Sequence, residues 1–132
     1  MLSVIIPSYK EEKMILQTAS TIGGILRKAE IPYELLFIDD GSSDSTWAKI
    51  NEAAEKDASV RGIHFSRNFG KEAAMFAGLE KCRGDACVVI DCDLQHPALR
   101  VAGKAAVNLL LQLAQRQDAG IDDVIRAVAQ AL

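Results

Sequence analysis

Four short apolar runs, each ended by a polar loop and separated from the next by a helix-length segment, constrain this chain more than any other feature. They are Leu2–Ile6, Tyr33–Ile38, Val60–Phe65 and Ala86–Ile90. Runs this continuous suit strands buried on both faces. Strands separated by helices build a parallel sheet with right-handed crossovers. The intervening stretches carry helical signals. Lys10–Glu30 keeps Met14, Ile15, Ala19, Ile22, Ile25, Leu26 and Ala29 on one broad face, although Gly23-Gly24 weakens it. A second helix, capped by Asp44 or Ser45, turns Trp47, Ile50, Ala53 and Ala54 inward. Lys71–Lys81 does the same with Ala74, Met75, Gly78 and Leu79. The expected class is α/β: a Rossmann-like, mostly parallel four-stranded sheet over residues 1–97, with helices on both faces.

The last third changes character. Ala98–Gln117 and Ile121–Leu132 are rich in Ala, Leu, Val and Gln, with Ala119-Gly120 as a break between them. Leu99, Ala102, Ala106, Leu109, Leu110 and Leu113 form one helical stripe, and Ile121, Val124, Ile125, Val128 and Leu132 another. Residues 98–132 therefore read as a helical hairpin tail. A hairpin alone buries too little to stand, and the fourth strand would leave an open sheet edge. Packing within the chain is the favoured outcome, and a homodimer through the same helices the alternative.

With 132 residues, 49% of them hydrophobic and 25% charged, the chain has room for one core but not two. A net charge of −3 offers no electrostatic ground for a nucleic-acid partner. A nucleotide would have to be held through a metal ion or backbone amides. Pro7 ends the first apolar run too early for a secretory leader, and no run approaches the roughly 20 residues of a membrane span. Cys82, Cys87 and Cys92 form no CxxC pair and read as small buried hydrophobes in a reducing compartment. These features predict a cytoplasmic location, including the cytoplasmic face of the membrane.

Ligands of open parallel sheets bind outside the carboxyl ends of the strands. The carboxylates gather there: Asp39 and Asp40 after the second run, Asp91 and Asp93 after the fourth. In an extended Asp91-Cys92-Asp93 the two carboxylates point to one side, and Gln95 continues the row. Two carboxylates and an amide oxygen are hard ligands, suited to Mg²⁺ or Mn²⁺ rather than zinc. Such an ion bridges two phosphates and neutralises charge on a diphosphate leaving group. A solvated acidic loop is the bland alternative, and the position at the end of a buried strand weighs against it.

In Asp39-Asp40-Gly41-Ser42-Ser43-Asp44 one carboxylate could accept a hydrogen bond from a base N–H or a ribose hydroxyl; the competing reading is turn formers and a helix cap. Pro7-Ser8-Tyr9 falls where the sheet would reverse direction, a place for a nucleoside contact. Arg67, Asn68 and Lys71 read as a solvated helix start, and His64, between apolar neighbours, as packed. There is no Walker lysine motif, GxGxxG, HExxH or GxSxG.

Four ordered segments carry a resemblance. They are Val4-Ile5-Ile6-Pro7-Ser8-Tyr9-Lys10-Glu11-Glu12, Phe37-Ile38-Asp39-Asp40-Gly41-Ser42-Ser43-Asp44-Ser45-Thr46, Phe65-Ser66-Arg67-Asn68-Phe69-Gly70-Lys71-Glu72-Ala73-Ala74 and Asp91-Cys92-Asp93-Leu94-Gln95-His96-Pro97. Together they resemble family 2 glycosyltransferases of the polyprenyl-phosphate type, relatives of dolichol-phosphate mannosyltransferase and bactoprenol glucosyltransferase.

The resemblance implies a GT-A fold, a UDP- or GDP-sugar donor and inverting transfer to an acceptor such as a polyprenyl phosphate. By that likeness Pro7, Tyr9 and Glu11 would line the nucleoside site and Asp39 would hold the base or ribose. Asp40 and Asp91 join the substrate-binding set. Asp91, Asp93 and Gln95 would surround Mg²⁺ or Mn²⁺ on the diphosphate.

After Pro97 the pattern departs from the family, before the part that supplies the acceptor site and later catalytic residues. The expectation is therefore an inverting glycosyltransferase whose catalytic residues are not assigned and whose isolated chain could be inactive. A truncated, non-catalytic nucleotide-binding fragment and an oligomerising module are the alternative classes.

Overall fold

All four apolar runs become strands: β1 (Leu2–Ser8), β2 (Tyr33–Asp39), β3 (Val60–His64) and β4 (Ala86–Val89). The computed structural model describes residues 1–28 and 30–92. Three helices, α1 (Ile15–Lys28), α2 (Thr46–Lys56) and α3 (Lys71–Lys81), separate the strands. The sheet is parallel throughout, in the order β3-β2-β1-β4. The chain thus builds outward from β1 to β3, then returns through α3 to lay β4 on the other side of β1.

That reversal explains the continuous apolar runs. On one face Val4 and Ile6 of β1 and Leu35 and Phe37 of β2 join Ile15, Ile22 and Leu26 of α1 and Ile50 of α2 in one core. On the other face Ile5, Leu36 and Ile38 pack with Ala74 of α3 and Cys87 of β4. Every residue from Val4 to Ile6 and from Leu35 to Ile38 is 1% exposed or less. Burying each such side chain contributes about 1.5–3 kcal/mol, so both faces of the sheet must stay covered.

The helices depart from expectation in two places. The first begins at Ile15 and not at Lys10. Lys10 takes the left-handed conformation (φ 53°) and its N–H bonds Ser42 Oγ at 2.9 Å, which removes it from any helix. Gly23-Gly24 does not interrupt α1. In α3, Ala74 and Gly78 are buried but Leu79 is 45% exposed. A Cβ on Gly78 would lie 2.4 Å from Ile5 Cγ2, so this helix rests its backbone almost directly on β1. So close an approach narrows the buried stripe and leaves Leu79 beside it.

At the amino ends of the strands, the buried Glu34 carboxylate accepts hydrogen bonds from Ser3 Oγ (3.0 Å), Arg61 Nη1 (2.9 Å) and the Arg83 N–H (3.0 Å). It ties β1, β2, β3 and the turn before β4 together, leaving the carboxyl ends free for other chemistry. No disulfide joins the three cysteines, and Cys87 and Cys92 are buried. Among the described residues no helix is long and apolar enough to cross a membrane. The helical hairpin expected over residues 98–132 lies outside the described residues, as do Asp93 and Gln95.

Candidate functional site

The sheet order reverses at β1, with β2 and β3 on one side of it and β4 on the other, the sort of switch point where parallel sheets open a crevice at the carboxyl ends of the strands. A cleft of about 200 Å³ lies there. Pro7, Ser8, Tyr9 and Glu11 line it from the β1 side, Asp40 from β2, Lys71 from the start of α3, and Asp91 and Cys92 from the segment after β4.

The loop after β1 is sewn to the acidic loop after β2. The Lys10 N–H donates to Ser42 Oγ, the Glu11 N–H donates to Thr46 Oγ1 (3.0 Å), and Glu12 Oε2 accepts the Ser45 N–H (3.0 Å). These bonds hold Lys10 in a backbone conformation that costs about 1–2 kcal/mol. They present Tyr9, 44% exposed, at the cleft. The N-cap of the following helix is Ser45, which makes no side-chain cap bond; Asp44, one position earlier, accepts the Thr46 N–H at 3.0 Å and so fixes the turn into the helix. Burial alone would raise its carboxyl, but the bonds from Thr46 outweigh that and hold it below the ordinary range.

Asp39 and Asp40 face different tasks. Asp39 is fully buried; Oδ1 accepts the Ser42 N–H (3.0 Å) and Oδ2 lies 2.7 Å from His64 Nδ1. Asp40 reaches the cleft, yet its carboxylate accepts the Phe69 N–H (2.8 Å), the Gly70 N–H (3.1 Å) and Asn68 Nδ2 (3.2 Å). It clamps the loop between β3 and α3 against β2. Gly41 permits that contact: its φ is +68°, and a Cβ there would sit 2.1 Å from the Arg67 carbonyl carbon.

Asp91 is held through its backbone neighbours. The Ile90 N–H donates to Ile5 O (2.9 Å), and Cys92 O accepts the buried Thr18 hydroxyl (2.9 Å). The Asp91 carboxylate, 57% exposed, meets the Lys71 ammonium at 2.6 Å. A hard, exposed carboxylate that already draws a cation fits a divalent ion in chemical type. Among the described residues no group of three or more His, Cys, Asp or Glu is arranged to hold a metal. Asp93 and Gln95 fall outside those residues.

Of the residues singled out from the sequence, the fold brings Pro7, Tyr9, Glu11, Asp40 and Asp91 to one cleft. Asp39 does not line it: it is buried, with both carboxylate oxygens in use. Three residues carry more than their sequence reading allowed. His64 is 45% exposed and stacked on Trp47, with ring centroids 4.7 Å apart. Asn68 braces Asp40, and Lys71 faces Asp91. A lysine in the first turn of a helix runs against the helix dipole, and that was the available signal for Lys71.

A parallel sheet in this order, with acids along its carboxyl edge, places the chain among GT-A-type α/β domains. Its backbone superposes on the mannosyltransferase PcManGT from Pyrobaculum calidifontis, solved in complex with GDP-Man and Mn²⁺, with a TM-score of 0.65. Identity there is 24%, covering 83% of this chain and 32% of that one. The chain belongs to glycosyl transferase family 2, whose family model matches residues 3–118.

Bactoprenol glucosyl transferase of Shigella phage SfV is 36% identical over 124 residues, 94% of this chain and 38% of that protein. Undecaprenyl-phosphate 4-deoxy-4-formamido-L-arabinose transferase of Pseudomonas fluorescens (strain SBW25) is 35% identical over 96 residues, 72% of this chain and 28% of that protein. The chain spans between 28% and 38% of the length of these curated relatives.

Proposed function

We propose that this chain is the donor-binding part of a glycosyltransferase, one that takes a sugar from a nucleoside diphosphate sugar for transfer to a polyprenyl phosphate. The observation that carries this is the convergence of Tyr9, Glu11, Asp40, Lys71 and Asp91 on one cleft at the point where the sheet reverses. The relatives that act on bactoprenol and undecaprenyl phosphate support the acceptor class.

Pro7, Tyr9 and Glu11 would flank the nucleoside. Asp39 would act on the base or ribose, by ordering the loop through Ser42 and His64 or by exchanging one of those partners for the ligand. Asp40 shapes the floor by fixing the Asn68–Gly70 loop. Asp91, with Asp93 and Gln95, would hold Mg²⁺ or Mn²⁺. Such an ion, when bound, would supply positive charge to a diphosphate leaving group. Lys71 stands close enough to Asp91 to add a second positive charge to the same group. A nucleotide-sugar donor would be met in the cytoplasm, so the chain would work there or at the cytoplasmic face of the membrane.

A second reading separates binding from turnover. The chain spans 38% or less of these relatives, and a domain of that share can hold a donor without passing on its sugar. Calorimetry with UDP- and GDP-sugars, with and without Mn²⁺, tests donor binding; a radiolabel assay with a polyprenyl phosphate tests transfer. Metal-strengthened binding of one donor is the expected result. No binding of either donor under any condition overturns the function proposed.

A further inference from the structure

Lys71 opens α3, and its Nζ lies 2.6 Å from Asp91 Oδ1 within the cleft. Folding does not explain this pair. The two side chains are 61% and 57% exposed, and exposed ion pairs contribute little to stability. A lysine at a helix start is also disfavoured by the helix dipole. Yet both partners are placed with care. The turn before Lys71 is set by the Gly70 N–H on Asp40, and Asp91 is bracketed by the bonds of Ile90 and Cys92.

We propose that Lys71 is a built-in counter-ion for the donor site, which neutralises Asp91 while the cleft lacks a ligand and moves to the diphosphate when one arrives. The inference rests on the reading that Asp91 contributes to a divalent-metal site. An ammonium and a divalent cation compete for the same carboxylate oxygen, so Lys71 weakens metal binding by the nucleotide-free protein. A nucleoside diphosphate offers the ammonium a second anion. Asp91 is then released, and Lys71 favours the ligand instead of opposing the metal. Metal and nucleotide thereby become mutually reinforcing, as thermodynamic linkage requires of coupled sites. The charges involved are exposed, so the coupling should fade as salt rises.

The test is a titration of Mn²⁺ into the full 132-residue chain, following free Mn²⁺ by electron paramagnetic resonance, first alone and then with UDP or GDP. Lys71→Met should bind Mn²⁺ alone about two- to fivefold more tightly than wild type, and should bind the metal-free nucleotide more weakly. The mutual strengthening of metal and nucleotide should shrink with it. Lys71→Gln serves as a second variant, with circular dichroism to establish that each folds. Asp91→Asn separates the two readings. If Asp91→Asn binds Mn²⁺ as wild type does, the metal assignment fails and the proposal falls with it. If Asp91→Asn loses Mn²⁺ but neither Lys71 variant binds it more tightly, the metal assignment stands and the role of Lys71 is overturned.

Discussion

The carboxylate of Asp39 and the ring of His64 meet at 2.7 Å across the ends of β2 and β3, with the acid wholly buried and the imidazole half exposed. The Nδ1 edge of the ring faces the acid, so one proton is shared between the two groups. Trp47 holds the ring by stacking against it. With Ser42 on the other oxygen, Asp39 is a loop organiser before it is a ligand contact.

Asp39→Ala therefore removes a buried acceptor that two groups share. It is expected to lower the unfolding free energy by about 1–3 kcal/mol, measured by urea denaturation, as well as weakening nucleotide binding. Loss of nucleotide binding with unchanged stability would show that the acid serves the ligand alone.

Asp40 makes a sharper case, because the groups it satisfies are backbone amides. Asp40→Ala leaves the Phe69 and Gly70 N–H groups without their present acceptor. The loop ahead of α3 should loosen, at a cost of about 1–3 kcal/mol. Hydrogen exchange at Phe69 and Gly70 should quicken more than at β2. Equal protection in the variant and wild type would mean that the clamp has no part in ordering the loop.

The strands were legible because their burial on both faces writes itself into continuous apolar runs. Three of their ends agree with the sequence reading to within a residue: β2 closes at Asp39, β3 at His64 and β4 at Val89. β1 instead runs two residues past Ile6, with Pro7 and Ser8 still in register against Ile38 and Asp39 of β2. The start of α1 was not legible, since Lys10 is pulled out of the helix by Ser42, which lies 32 residues further on. The exposure of Leu79 was hidden for a related reason. Helical periodicity names a face, but the width of the buried stripe depends on how closely Gly78 lets α3 approach Ile5. The acids at the cleft could be found from strand ends alone. Their partners His64, Asn68 and Lys71 stand 20 to 28 residues away in sequence, and only the fold brings them in.

Glu34 gives the chain an acid-sensitive fastening at the end remote from the cleft. Burial taken alone would raise its carboxyl, but the Arg83 amide, the Arg61 guanidinium and the Ser3 hydroxyl hold it below the ordinary value of 4.5. A depressed carboxyl contributes stability that is fully present above its unfolded value and is lost as pH falls through its folded value. Urea unfolding of wild type and Glu34→Gln should differ most near neutrality, with wild type the more stable. The gap should close at pH values below the ordinary glutamate range. A gap that stayed constant down to strongly acid pH would mean that the Glu34 charge is not what fastens the strands.

Thr18 tests how the fold positions chemistry it never touches. Its hydroxyl is fully buried in α1 and donates to Cys92 O at 2.9 Å, one residue beyond Asp91. A hydroxyl there serves the chain after β4 rather than α1 itself. Thr18→Val keeps the shape and removes the donor, at a cost of about 1 kcal/mol in stability. The larger effect should fall on the site. With this hold on its neighbour Cys92 gone, Asp91 should sample more positions, and a metal site is sensitive to the placement of its ligands. Nucleotide binding in the presence of Mn²⁺ should therefore weaken, while binding without metal, which depends on the loops after β1 and β2, should stay near the wild-type value. Calorimetry on the two proteins under both conditions separates these effects. An equal loss with and without Mn²⁺ would show that α1 supports the whole cleft and has no particular hold on Asp91.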